Sequence, residues 1–112
     1  MSLLKDLMDI VSRHLPTETA IYNSTAETDY AVLTPLSDTF GFHSDNRPNY
    51  DVQAVQISMY TKGNYRIVKN QIIRDLLNAD ITITGRRFIG YESDTGFYHY
   101  AIEVEKYYEL EE

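Results

Sequence analysis

Cysteine is absent from this 112-residue chain. Its absence excludes disulfides, thiolate nucleophiles and sulfur-ligated metals together, and it fits a reducing compartment. Tryptophan is absent too, and glycine and proline are sparse. Gly41, Gly63, Gly85, Gly90 and Gly96 form neither a phosphate loop nor a dinucleotide fingerprint. No run approaches the roughly 18 apolar residues of a membrane-spanning helix. The start, Met1-Ser2-Leu3-Leu4-Lys5-Asp6, lacks the basic region and apolar run of a secretory signal. The expectation is a soluble chain made in the cytoplasm, without a membrane partner. His14, His43 and His99 stand far apart and no His-Glu-x-x-His occurs, so neither metal nor cofactor is expected. Ser37-Asp38, His43 and Ser44-Asp45 hold the residue types of a hydrolytic triad. Without a Gly-x-Ser-x-Gly elbow they read as a polar, turn-forming stretch. No catalytic residue emerges, and the chain reads as a non-enzyme.

What is present is acid and tyrosine. Seventeen acids against ten bases give a net charge of −7. Phosphate-backbone binding needs clustered lysine and arginine, so sequence-reading DNA contact is not expected. Glu103, Glu105, Glu109, Glu111 and Glu112 crowd the last ten residues. Ten tyrosines suit both sheet formation and interfaces, where the ring buries and the hydroxyl finds a partner.

The pattern predicts one domain over residues 1–112, of α+β class. Its sheet is mainly antiparallel, with two helices packed on one face and a long C-terminal β-hairpin. Ser2 is placed to cap a first helix whose stripe is Leu4, Leu7, Met8, Val11 and Leu15, stopped near His14 or Leu15 by Pro16. Ala20-Ile21-Tyr22 is read as an edge strand and Tyr30–Thr34 as a strand ended by Pro35. Leu36–Tyr50 is read as a long irregular loop, ordered only on assembly, because it carries Phe40 and Phe42 among polar residues. Asp51–Thr61 alternates as a half-buried strand. Asn64 is placed to cap a second helix, about Tyr65 to Asn78, with Val68, Ile72, Ile73, Leu76 and Leu77 on one side. The final hairpin turns through Ser93-Asp94-Thr95-Gly96, and Gly85 and Gly90 mark bulges in its first arm. Its arms exceed the usual strand length, so it is expected to project beyond the body. In the second arm Tyr98, Tyr100, Ile102 and Val104 should meet the helices. His99, Ala101, Glu103 and Glu105 should meet solvent or a partner.

Several stretches together carry a resemblance. They are Tyr30-Ala31-Val32-Leu33-Thr34-Pro35-Leu36-Ser37-Asp38-Thr39-Phe40, Asp45-Asn46-Arg47-Pro48, Lys62-Gly63-Asn64-Tyr65, and Arg86-Arg87-Phe88-Ile89-Gly90-Tyr91-Glu92. The chain resembles, over nearly its whole length, the tail-completion proteins of Gram-positive long-tailed phages. More broadly, it is similar to the tail terminator, or tail-to-head joining, family. That family has no short catalytic or binding signature, so no residue role is carried over. The resemblance implies an α+β subunit of a hexameric ring in the virion. Such a ring caps the tail tube and joins it to the head connector, or stopper, while DNA passes through the lumen without specific binding. The interface candidates are then Phe40, Phe42, Tyr50, Arg86, Arg87, Tyr91, Phe97, Tyr107 and Tyr108. Glu103, Glu105 and the Glu109–Glu112 terminus are lumen candidates by number. Glu92 and Asp94, at the hairpin tip, are favoured by reach. The other reading of the acid excess is an inhibitor that mimics DNA and occupies a nucleic-acid-binding partner.

Overall fold

The computed structural model describes residues 2–19, 28–44 and 47–109. The order is α1 (Leu3–Val11), β1 (Thr17–Thr19), β2 (Tyr30–Ser44), β3 (Arg47–Thr61), α2 (Arg66–Asn78), β4 (Thr82–Glu92) and β5 (Phe97–Glu109). The strands form one sheet ordered β1-β2-β3-β5-β4. Only the β1–β2 pair is parallel. The α+β class, the antiparallel sheet and the C-terminal hairpin are as the sequence predicts.

Local chemistry sets the helix ends. Ser2 Oγ accepts from the Lys5 amide at 3.4 Å, the expected cap. The Leu3 amide donates to Gln53 Oε1 at 2.7 Å, which ties the start of α1 to β3. The helix stops earlier than Pro16 alone would require, because the His14 and Leu15 amides both turn back to the Val11 carbonyl. Asn64 Oδ1 accepts from the Arg66 amide at 2.9 Å and so satisfies a donor at the start of α2. The other end of α2 is a Schellman motif. The Asp80 amide donates to the Leu77 carbonyl and the Ile81 amide to the Leu76 carbonyl. Asp80 takes the left-handed conformation there, at φ 58°. Ile81 and Leu76 are both buried, which supplies the motif's apolar contact.

One face of the sheet carries both helices. Leu3, Leu7, Ile10 and Val11 of α1, with Ile72 and Leu76 of α2, pack on Ala31, Leu33, Val55, Ile57, Met59, Tyr100, Ile102 and Val104. Of the stripe expected on α2, Ile72 and Leu76 are buried and Val68 and Ile73 pack partly buried against this cluster, while Leu77 is exposed. On β5, Tyr100, Ile102 and Val104 are buried as expected, while Tyr98 lies beyond helix cover and is exposed.

The opposite face departs from expectation. Tyr30, Val32, Tyr60 and Phe97 form a second buried cluster there. Ala101 is buried and His99 half-buried, so neither simply meets solvent.

The largest correction concerns Leu36–Tyr50. It is not an irregular loop. Residues 36–44 extend β2 and residues 47–50 begin β3, so each strand has 15 residues. The ladder continues from Tyr30↔Tyr60 out to Ser44↔Arg47, with a bulge between Pro35 and Ser37. Strand β5 accompanies β3 to Tyr50↔Glu109, where the described residues end. At this end the β2–β3 hairpin runs on past β4, whose pairing stops at Thr82↔Glu105, level with Ala54. The C-terminal one ends almost level with its neighbour, since Tyr98 pairs with Thr61 and one further pair, Glu92↔Phe97, precedes the turn. The molecule measures 53 × 24 × 21 Å, in keeping with strands of about 3.3 Å per residue running its full length. The edge strand expected at Ala20–Tyr22 lies outside the described residues. The short strand observed is Thr17–Thr19.

Gly96 closes the β4–β5 turn at φ +80°, with its amide donating to the Glu92 carbonyl at 2.7 Å. A Cβ there meets no neighbour, so the cost of Gly96→Ala is conformational alone. A loss of about 1 kcal/mol is expected, read as a lower urea midpoint with an unchanged slope.

Candidate interaction surface

Among the described residues, neither sheet edge is paired along its whole length. At one edge, β4 pairs only with β5, and its other side meets no strand among the described residues. Its two bulges fall at Ile83/Gly85 and Phe88/Gly90, where the glycines predicted them. The second bulge leaves Ile89 44% exposed. At the other edge, β1 covers only Ala31, Leu33 and the residue between them, so β2 is uncovered from Thr34 onward among the described residues.

An aromatic strip runs along the helix-bearing side of β4. Phe88 pairs with Tyr100, and Tyr91 with Tyr98, so all four share that face. Tyr65, just before α2, stacks between Tyr100 (5.1 Å, 28°) and Phe88 (5.8 Å, 13°). Tyr98 continues the strip, 6.4 Å from Phe88 and 4.8 Å from Tyr91. The Lys69 ammonium lies 5.4 Å from the Tyr100 ring. Phe88, Tyr91 and Tyr98 are all exposed. A shallow hollow of 350 Å³ opens among Lys62, Gly63, Asn64, Tyr65 and Tyr98. Offset aromatic rings beside cations form a surface with apolar faces and a positive rim.

The expected interface residues divide. Arg86, Arg87, Tyr91 and Tyr107 are exposed, and Arg86 and Arg87 form no ion pair among the described residues. Phe97 is 1% exposed and sits edge-on to Tyr30 at 5.4 Å. Tyr108 is buried on the other face, where its hydroxyl donates to Asp6 Oδ2 at 2.7 Å. Burial, then the bond to Asp6 and its charge, push the Tyr108 hydroxyl well above the ordinary tyrosine value. Phe97 and Tyr108 therefore hold the monomer together and are corrected as free interface residues. The backbone of Phe40, Phe42 and Tyr50 lies on the projecting hairpin, with Phe40 opposite Asp51 and Gly41 opposite Tyr50. Their side chains lie outside the described set. Asp94 is exposed at the β4–β5 tip, and Glu92 accepts from Thr95 Oγ1 at 3.1 Å.

Neither the Tyr65–Phe88 stack nor the second cluster was legible from the sequence. Both depend on which strands become neighbours. Period-two alternation of Tyr60 and Ser58 against Phe97 and His99 was the available signal.

Two further features bring polar side chains together. A cleft between the helices, 590 Å³, is lined by Asp6, Asp9, Arg13, Asp75 and Lys106 among others. Three of these side chains, those of Asp6, Asp75 and Lys106, are committed to structure. His14 Nε2 meets Asp75 Oδ2 at 2.7 Å, Tyr108 bonds Asp6, and Lys106 Nζ donates to the Ala79 carbonyl. Among the described residues, no three potential metal ligands converge.

The second feature is His99. It stacks on Tyr60 at 4.3 Å, and its buried Nε2 has no hydrogen-bond partner among the described residues. Burial lowers its pKa below the ordinary 6.5, against a smaller upward pull from Glu92. The unfolded chain thus binds this proton more readily than the folded one. Stability is full above pH 6.5 and falls as the pH drops through 6.5 toward the lowered folded value. Urea midpoints at pH 7.5 and 5 should show this loss, and His99→Gln should lose less over the same interval. An equal loss in wild type and variant would remove His99 as its source.

Comparison with models of known protein families finds no match for this chain, and comparison with curated proteins finds none either.

Proposed function

We propose that this chain is a structural ring subunit of a phage tail–head junction, ending the tail tube and docking it to the head connector. The observation that carries the reading is the β2–β3 hairpin. Its two 15-residue strands run on past β4, whose pairing at that end stops at Thr82↔Glu105, level with Ala54 of β3. A long hairpin that outruns its neighbouring strand gains stability from a partner. The tail tube or the connector supplies that partner here, and Phe40 and Phe42, on the hairpin, are the apolar candidates for the contact. The resemblance of Tyr30–Phe40 and Arg86–Glu92 to tail-completion proteins points the same way. The role is steric and geometric, so the reading assigns no catalytic group. DNA passes without binding, because acids such as Asp94 repel phosphate.

The test is electron microscopy of purified, unterminated tail tubes with and without the protein. One extra ring at a single tube end and a halt to elongation are expected. Tubes that elongate at the same rate, with bare ends, would sink the reading.

A further inference from the structure

We infer that β4 is a docking edge for a second protein, whose contribution is an extended acidic segment with apolar side chains, added as a further strand beside β4. The inference uses nothing of the β2–β3 hairpin and stands apart from the ring reading.

The edge lies wholly within residues 51–108, which are described without a gap and hold β4, its two flanking turns, α2 and β5. β4 pairs with β5 alone, while β1 and β2 stand at the other side of the sheet, beyond β5 and β3. In an antiparallel ladder alternate residues turn their amide and carbonyl away from the partner. On β4 those groups point outward, and an open edge of this kind accepts an added strand.

Charge names the occupant. Residues 62–74 and 85–91 hold Lys62, Arg66, Lys69, Arg74, Arg86 and Arg87 and no acid, in a chain of net charge −7. Arg86 pairs with Ile102 and shares the helix-bearing face with Phe88 and Tyr91, while Arg87 pairs with Ala101 on the other face. Glu103 lines a 210 Å³ hollow with both arginines but makes no ion pair with either. An incoming strand with acids at two adjacent positions meets one arginine on each face. Its apolar side chains meet Phe88, Ile89, Tyr91 and the neighbouring Tyr98, each at least 37% exposed. Large apolar groups gathered in one exposed strip mark a contact surface.

Bulges and edge charges also keep a strand from pairing with its own kind. Two copies of β4 in full antiparallel overlap set Arg87, at the middle of the strand, against its counterpart, and like charges directly opposed repel. The arginines that reject a second β4 attract an acidic strand, so one feature supplies both the selection and the attraction.

The test uses the full chain and a blocked peptide of about nine residues, opening with two glutamates and continuing with valine and glutamate in alternation. In calorimetric titration it should bind at least tenfold tighter than the lysine-for-glutamate or the serine-for-valine counterpart. Raising the salt to 0.5 M should weaken it severalfold, because charge attraction is screened. N-methylation of one alternate set of peptide amides should abolish binding, and of the other set should spare it. Hydrogen exchange should slow at the outward amides of β4 when peptide is bound. Arg86→Glu with Arg87→Glu, its fold checked by circular dichroism, should reverse the preference toward the lysine peptide. Equal binding of the glutamate and lysine peptides, indifference to both methylation sets, or no binding by the glutamate peptide overturns the inference. Should the variant fail to fold, the peptide series on the wild-type chain decides alone. Peptide binding without capping of tube ends would leave this contact standing and remove the ring reading; capping without peptide binding would do the reverse.

Discussion

Replacing Ile57 with alanine is expected to destabilise the chain by about 2–5 kcal/mol, the range for removing a fully enclosed branched side chain. Ile57 is 0% exposed. It pairs with Leu33 on one side and Ile102 on the other, both also 0% exposed, so the three form a row across the centre of the sheet beneath the helices. Little room exists for collapse around the lost methyl groups, because each flank is backbone-paired in register. The check is urea unfolding followed by tyrosine fluorescence and circular dichroism. Ile89→Ala is the control: at an exposed edge bulge it should change stability by less than about 0.5 kcal/mol. Equal losses at the two positions would mean that the row is not the core.

The second large effect is on docking. Phe40→Ala combined with Phe42→Ala should weaken binding to tube ends on the order of a hundredfold or more, if each aromatic contributes as interface anchors do, at about 2 kcal/mol or above. Stability should barely change, since the docking reading assigns these rings to the partner and not to the monomer. Retained affinity in a folded double variant would remove the hairpin from the docking face. Loss of folding would instead show that the phenylalanines belong to the monomer.

Residues with strong local signals were legible before the fold. Ser2 as a cap, Gly85 and Gly90 as bulges, and Ser93–Gly96 as a turn each follow from chemistry within a few residues. The outer half of the β2–β3 hairpin was not. Pro35, Asp38, Gly41, Asp45 and Asn46 are all turn formers, and Leu36-Ser37-Asp38-Thr39 lacks an apolar alternation. Alternation records burial on one side, and Leu36, at the bulge, is exposed. Pairing with β3 holds it, and pairing leaves little trace in a single strand's sequence. Thr17-Glu18-Thr19 was invisible for the same reason. On the surface, Arg86, Arg87 and Tyr91 could be chosen because they are polar or amphipathic at bulges. Phe97 and Tyr108 misled because aromatic composition does not distinguish a ring that faces a partner from one that faces its own sheet.

The seam between β3 and β5 has a kinetic consequence. β2 with β3, and β4 with β5, are each joined by a short turn, so either hairpin closes cheaply. The seam joins Tyr50 to Glu109 and Thr61 to Tyr98, closing a loop that contains all of α2 and β4. Non-local pairing of this kind sets the pace of folding, so the chain should assemble as two half-sheets that wait for each other. Until they meet, both sides of the seam are bare edges. The time a nascent chain spends before that closure is when it is most exposed to pairing with the wrong neighbour.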